Sequence, residues 1–373
     1  MSRFAILDPV LDPTIAAWAA KRAEPAIPLW PVSEAPGMTG VTPWLMEGSP
    51  DLQQALSSRG ALPWGLWLES DADLLQLPQR LADRRIMRDE TGNPRLLRWW
   101  DKDVLGALWP VLTPAERAWW LAGLHRIIVS GTPEIVYGPI TSPPAAGLNL
   151  DSRLRAALAE DMVRRRTVQI DQWLADTWKT VEASARVAVA RRAAQSAQAL
   201  GLADLRDWIA LAQLMGNFGA GQLDDPLYAG LLSDLDLIED RTRLWRCESI
   251  LLPMAQDRQA RDREVAGLLR QAFTSDALVQ HLIESPKTAL TLVFGPHAEL
   301  FDDAEREVSQ TASTNRLRAR YPSVTPADEL RFWLVNLLLG AGFETDPLRA
   351  VPAQAYAQEG LAGLKAWAIG SSV

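Results

Sequence analysis

One cysteine, three histidines and four tyrosines are all that 373 residues offer of the side chains that most often carry redox, metal and phenolic chemistry. The single thiol, Cys247, excludes an intramolecular disulfide and any cysteine-based metal cluster; it reads as a small buried hydrophobe rather than a reactive group. His125, His281 and His297 lie far apart and none belongs to an H-E-x-x-H arrangement. Long apolar runs are missing too, so no segment is expected to cross a bilayer. The opening MSRFAILDPVLDP meets Asp8 and two prolines before a signal-peptide core can form, and the expected location is the cytoplasm.

Positive charge is also short. With 38 basic and 46 acidic residues the chain carries a net charge of −8 and no long basic patch, which gives a nucleic-acid partner no electrostatic support. The densest basic run, Arg164-Arg165-Arg166, reads as a solvated helix face. No phosphate-binding P-loop, nucleophile elbow or dinucleotide fingerprint occurs between a strand and a helix, and nothing calls for a cofactor or a metal. Carboxylate neighbours exist at Asp224-Asp225, Glu239-Asp240 and Asp302-Asp303, but each pair sits beside a turn or helix start, where capping explains it.

What the chain does have is tryptophan, 16 against seven phenylalanines. An indole combines a large apolar face with one N–H donor and suits both cores and protein-binding surfaces. The load is heaviest from Pro94 to Val129. Arg95 to Trp100 alternates charged and apolar residues like a strand with one buried face, Asp101 can cap a helix holding Val104, Leu105 and Leu108, and Pro110 ends it. Thr113-Pro114-Ala115-Glu116 is a capping box with proline at the first helical position, opening the helix that carries Trp119 and Trp120. Leu124 to Val129 then reads as a closing strand.

Further strands are expected at Phe4 to Leu7, Ala26 to Trp30, Val41 to Met46 and Trp64 to Leu68, the last apolar on both faces as in a central strand. Helices are expected after Asp12-Pro13, Ser49-Pro50-Asp51 and the capping box Ser70 to Asp73, and a hairpin is expected around Thr91-Gly92-Asn93. Beyond Leu150 strand signals give way to amphipathic helical patterns. The fold class is therefore α+β: a mixed-sheet α/β domain over residues 1–130, a Pro/Gly-rich linker over 131–149, and an all-helical domain over 150–373.

That second domain carries an internal repeat. Gly219-Ala220-Gly221 leads to Asp225-Pro226-Leu227 and Ala229, and Gly340-Ala341-Gly342 leads to Asp346-Pro347-Leu348 and Ala350. Both copies follow an amphipathic helix, so the glycines read as helix ends and Asp-Pro as the next start, in two related helical modules. A phosphate loop would instead precede its helix.

The N-terminal motifs, FAILDPVLDP, TPWLMEG, WGLWLES and above all LLRWWDKDVLGALWPVLTPAE, resemble in type and order the domain of type VI secretion effector adaptors, or effector chaperones. Leu97-Arg98-Trp99-Trp100-Asp101 matches the family's aromatic strand ending in Asp, with tryptophan where Phe or Tyr is more usual. The resemblance implies a non-enzymatic protein that binds a toxic effector polypeptide and helps load it onto the spike protein of the secretion apparatus. It supplies no catalytic residues. The candidate partner-binding residues are Arg98, whichever of Trp99 and Trp100 faces outward, and whichever of Trp119 and Trp120 does so. The alternatives are a hydrolase-like enzyme with a carboxylate site in an interdomain cleft, and a structural subunit of a homo-oligomer.

Overall fold

The computed structural model describes residues 1–30, 42–59, 64–129, 135–179, 181–202, 204–221, 225–228, 235–236, 241–242 and 258–370. Val41, Gly131-Thr132-Pro133, Asp224, Ala229, Glu239-Asp240 and Cys247 lie outside them. The chain divides into two compact units, Met1–Asp161 and Met162–Val373.

The first unit is built on a six-stranded sheet of β1 (Ser2–Leu7), β2 (Ala26–Pro28), β3 (Trp44–Glu47), β4 (Gly65–Ser70), β7 (Arg126–Val129) and β8 (Ile135–Tyr137), in the order β2-β3-β1-β4-β7-β8. Every pairing in it is antiparallel, where the alternation of strands and helices suggested a mixed sheet. The reason lies in β1. The helix α2 (Pro50–Ser58) is a crossover between β3 and β4, which run the same way, but β1 lies between them and opposes both.

Both faces of the sheet are covered, as the sequence of β4 requires. Ala5, Leu7, Met46, Trp67 and Ile128 point to one side, against α1 (Ile15–Ala19) and Leu52 and Leu56 of α2. Phe4, Ile6, Leu45, Leu66, Leu68 and Ile127 point to the other. That second face is packed by the excursion between β4 and β7: α3 (Leu77–Arg80), the hairpin strands β5 (Ile86–Arg88) and β6 (Pro94–Leu96), α4 (Lys102–Leu108) and α5 (Pro114–Trp120).

The local devices are those the sequence spells out. Asp12 accepts from the backbone N–H of Thr14 before α1, Ser49 accepts from Leu52 at the start of α2, and Asp101 accepts from Asp103 at the start of α4. Thr113 and Glu116 form the full reciprocal capping box of α5. Ser70 departs from expectation. Its hydroxyl donates to the Gly123 carbonyl at 2.7 Å and accepts from Ala72, tying β4 to the loop before β7, and α3 starts later, at Leu77.

Of the expected linker over 131–149, the described residues 135–149 fall in the first unit. Its residues 135–137 form β8, Ala145 donates to the Ala115 carbonyl, Leu150 donates to the Arg88 carbonyl, and Leu148 and Leu150 are core. Proline suits a short edge strand and an extended wrap as readily as a joint, and burial decides between them.

Among its described residues the second unit is built of helices, with a two-residue pairing of Leu235–Asp236 with Arg241–Thr242 as its one strand pair. It contains most of α6 (Ser152–Thr177), then α7 (Ala183–Ala199), α8 (Leu205–Phe218), α9 (Arg258–Thr274), α10 (Asp276–Glu284), α11 (Lys287–Phe294), α12 (Asp303–Arg320), α13 (Pro326–Leu339), α14 (Ala350–Glu359) and α15 (Leu361–Gly370). Helix α13 is buried from Leu330 to Leu339 apart from Arg331, and Ser309 and Ser313 of α12 make room for it. They also accept hydrogen bonds, from Trp333 Nε1 at 3.0 Å and Asn336 Nδ2 at 2.8 Å. Helices α8 and α13 end at Gly219 and Gly340, both at positive φ, and the two glycine turns pack on each other. A Cβ on Gly219 would stand 1.9 Å from the Leu339 carbonyl oxygen. The repeat is thus a pair of helix ends in mutual contact, sealed by Asp346, which accepts from the Ala220 N–H of the other copy at 2.8 Å.

Candidate partner-binding surface

The excursion between β4 and β7 holds all five candidate residues, and it departs from the sequence expectation at Trp99 and Trp100. Strand β6 ends at Leu96, not at Trp100. The last ladder bond runs from the Leu97 N–H to the Arg85 carbonyl, and a turn closed by Asp101 N–H on the Arg98 carbonyl follows. Strand alternation therefore fails at Trp99 and Trp100, and both indoles enter the core, 0 % and 1 % exposed. Neither faces outward. Trp120 is likewise fully buried, whereas Trp119, one position earlier on α5, is half-buried.

The buried indoles form a chain of edge-to-face contacts. Trp30 meets Trp100 at 5.5 Å, Trp100 meets Trp99 at 6.1 Å, Trp99 meets Trp120 at 6.1 Å, and Trp120 meets Trp119 at 5.7 Å. Such geometry sets the positive edge of one ring on the negative face of the next. One carboxylate anchors the chain. Asp8, 0 % exposed, accepts from Trp100 Nε1 and from the Arg98 guanidinium, each at 2.6 Å, and from the Val10 N–H at 2.8 Å. Arg98 thus has a structural duty, with its side chain still 31 % exposed.

A second arginine is committed more deeply. Arg84 lies 6.0 Å over Trp119, donates to the Ala122 carbonyl, and burial pushes its pKa down to about 10. A third covers a tryptophan that the sequence reading did not single out. Trp109, half-buried after α4, lies 4.6 Å from Tyr137 and carries the Arg117 guanidinium 5.7 Å above its ring, while Arg117 donates to the Trp109 and Pro110 carbonyls. The half-exposed indoles of this segment, Trp109 and Trp119, are therefore held by cation–π contact in fixed poses.

The hairpin supplies apolar surface. Ile86 and Leu96 stand directly opposite each other, 58 % and 49 % exposed, with Arg88 and Pro94 as the next pair on the same face. Met87, on the other face, is buried. The turn cluster Thr91-Gly92-Asn93 signals the hairpin, but with Ile86 and Met87 both apolar the sequence does not say which of the two faces outward. The expectation of one buried face for Arg95 to Trp100 did not foresee that β6 stops at Leu96 and leaves that side chain exposed.

The carboxylates considered for an enzymatic site do other work where they are described. Asp225 accepts from the Leu227 N–H, its pKa raised by burial, and Asp302 caps α12. His125 sits against Asp71 at 2.6 Å on the surface, and that contact holds the Asp71 carboxyl below its ordinary range. Among the described residues no group of three or more His, Cys, Asp or Glu side chains is placed to hold a metal ion, and no helix is long and apolar enough to cross a membrane.

No curated protein and no solved structure matches the chain. Residues 3–118, from β1 into α5, match the family model described as Domain of unknown function (DUF4123), a family associated with type VI secretion effector adaptors.

Proposed function

We propose that the chain is a non-enzymatic adaptor that binds a type VI secretion effector polypeptide in the bacterial cytoplasm and helps load it onto the spike protein. The observation that carries this reading is the family match, which lies within the first unit and ends in its tryptophan-rich excursion. The surface there supports it. An adaptor needs rigid apolar anchors beside charged groups on a face that is soluble when empty. The exposed Ile86–Leu96 pair flanked by Arg88, with the half-exposed Trp109, Trp119 and Arg98 in the same excursion, supplies such anchors. The partner surface assigned is accordingly the hairpin face and the rims of Trp109 and Trp119, in place of the buried Trp99, Trp100 and Trp120.

The test is co-purification of the tagged full-length chain with its neighbours' products, compared with Ile86→Asp/Leu96→Asp. The reading expects an effector polypeptide with the wild type and its loss with the double variant, circular dichroism unchanged. Equal recovery from both proteins sinks the assignment of the surface, and recovery of neither effector nor spike from the wild type sinks the adaptor reading.

A further inference from the structure

The six-stranded sheet has two outer strands, β2 and β8, and the hydrogen bonds at the strand ends decide which backbone groups point away from it. The Asp8 N–H donates to the Trp64 carbonyl, so these two form a bonded pair one step beyond Leu7 and Gly65. Bonded and non-bonded pairs alternate along an antiparallel ladder. Leu66 and Leu68 therefore turn their N–H and C=O groups to β1, and Trp67 and Glu69 turn theirs to β7. Ile128 is then spent on β4, while Ile127 and Val129 bond Tyr137 and Ile135 of β8. Val136 is left with its N–H and C=O pointing outward. Among the described residues, none hydrogen-bonds that backbone.

The opposite edge is closed. There the Leu29 N–H bonds the Pro43 carbonyl, so the outward positions of β2 are Ala26 and Pro28. Pro28 has no N–H to offer, and the Leu29 carbonyl accepts from the Arg85 guanidinium at 3.0 Å. Proline and charge are the usual guards of an edge strand. Strand β8, Ile-Val-Tyr, has neither. Its flanks are also bare on both faces of the sheet: Ile135, on the side of the excursion, is 49 % exposed, and Val136, on the side of α1 and α2, is 48 % exposed. Gly138, the next residue in phase with Val136, has open space where a Cβ would stand.

We propose that β8 takes an extended segment of the effector polypeptide as a seventh strand. The segment bonds the outward N–H and C=O of Val136 and sets apolar side chains beside Ile135 on one face and beside Val136 on the other. The inference rests on the adaptor reading and adds a mode of recognition to it. Two observations favour this occupant over a second copy of the chain. Strand β8 has three residues and spans roughly 10 Å, so pairing with itself buries far less than the about 800 Å² per partner of a stable interface. The edge is also continuous with the Trp109 rim assigned to the partner, because Tyr137 at the end of β8 lies 4.6 Å from that ring, and one extended segment can engage both.

The test uses overlapping short synthetic peptides that cover the effector polypeptide recovered by co-purification, titrated by fluorescence anisotropy against full-length wild type, Val136→Pro and Val136→Thr. Val136→Pro removes the outward N–H at a position that gives β7 no bond, whereas Val136→Thr keeps both the N–H and the branched shape. At least one peptide is expected to bind wild type and Val136→Thr alike and Val136→Pro about tenfold more weakly. Its binding to the wild type should also slow hydrogen exchange of the Val136 amide, a readout that needs no variant. Equal binding by a folded Val136→Pro, or no protection of the Val136 amide, overturns the edge proposal and leaves the adaptor reading standing. Recovery of an effector none of whose peptides binds does the same. A wild-type dimer that Val136→Pro dissolves would give the edge to a second copy and likewise overturns it. Recovery of no effector at all is the distinct result that sinks the adaptor reading, and this inference with it.

Discussion

Asp8 shows how one side chain can fix the meaning of its neighbours. It is fully buried and accepts three hydrogen bonds, two of them from residues more than eighty positions away. Asp8→Ala leaves the Trp100 N–H and the Arg98 guanidinium without their acceptor, and a loss of about 3 kcal/mol is expected in urea denaturation. Arg98→Ala should cost less, because Asp8 keeps its other two donors and Arg98 is partly solvated. Titration separates two further carboxyls. Glu24 is held down to about 2, first by its hydrogen bond from Arg22 and then by Ser49, so its contribution is fully present above the ordinary value of 4.5 and is lost as pH falls towards about 2. Asp225 runs the other way: burial raises its pKa above 3.8, so its contribution is present at low pH and is lost as pH rises through the raised value. Asp225→Asn, which keeps an acceptor for Leu227, should therefore stabilise the protein at neutral pH, with the gain shrinking towards about pH 4. A urea midpoint unmoved at both pH values would contradict that assignment.

At the scale of elements, much was legible because capping and alternation are local. Thr113-Pro114-Ala115-Glu116 and Ser49-Pro50 each name a helix start that the structure keeps, and Trp64 to Leu68 names a strand covered on both sides. What was not legible depends on distant partners. Nothing near Arg98 says that the strand stops at Leu96, because the acceptor that draws Arg98 and Trp100 together is Asp8. Nor does the spacing of β3 and β4 reveal that β1 separates them. The glycine repeat was legible as helix ends, but not as two ends in contact, and that contact sets a prediction. Gly219→Ala combines a positive φ with a Cβ placed on the Leu339 carbonyl, whereas Gly201→Ala meets open space at a similarly positive φ. The second substitution should cost about 1–2 kcal/mol from backbone conformation alone, and the first distinctly more, in the same denaturation assay.

For the whole molecule, the division into units has its own consequence. The core residues around the sheet all lie at or before residue 158, and the core of the helical unit begins at Val163. A fragment of residues 1–161 should therefore fold cooperatively, with a near-ultraviolet circular dichroism signal from its packed tryptophans. A fragment lacking that signal would show that the sheet unit depends on the rest of the chain. The proposed adaptor role belongs to this scale as well, because it would be defined by what the chain carries. The most direct measurement is affinity purification of the full-length chain from its host, with partners identified by mass spectrometry. The account predicts an effector polypeptide together with a spike protein, both reduced when Ile86 and Leu96 are changed to Asp. Recovery of the chain alone, as a monomer, would contradict it.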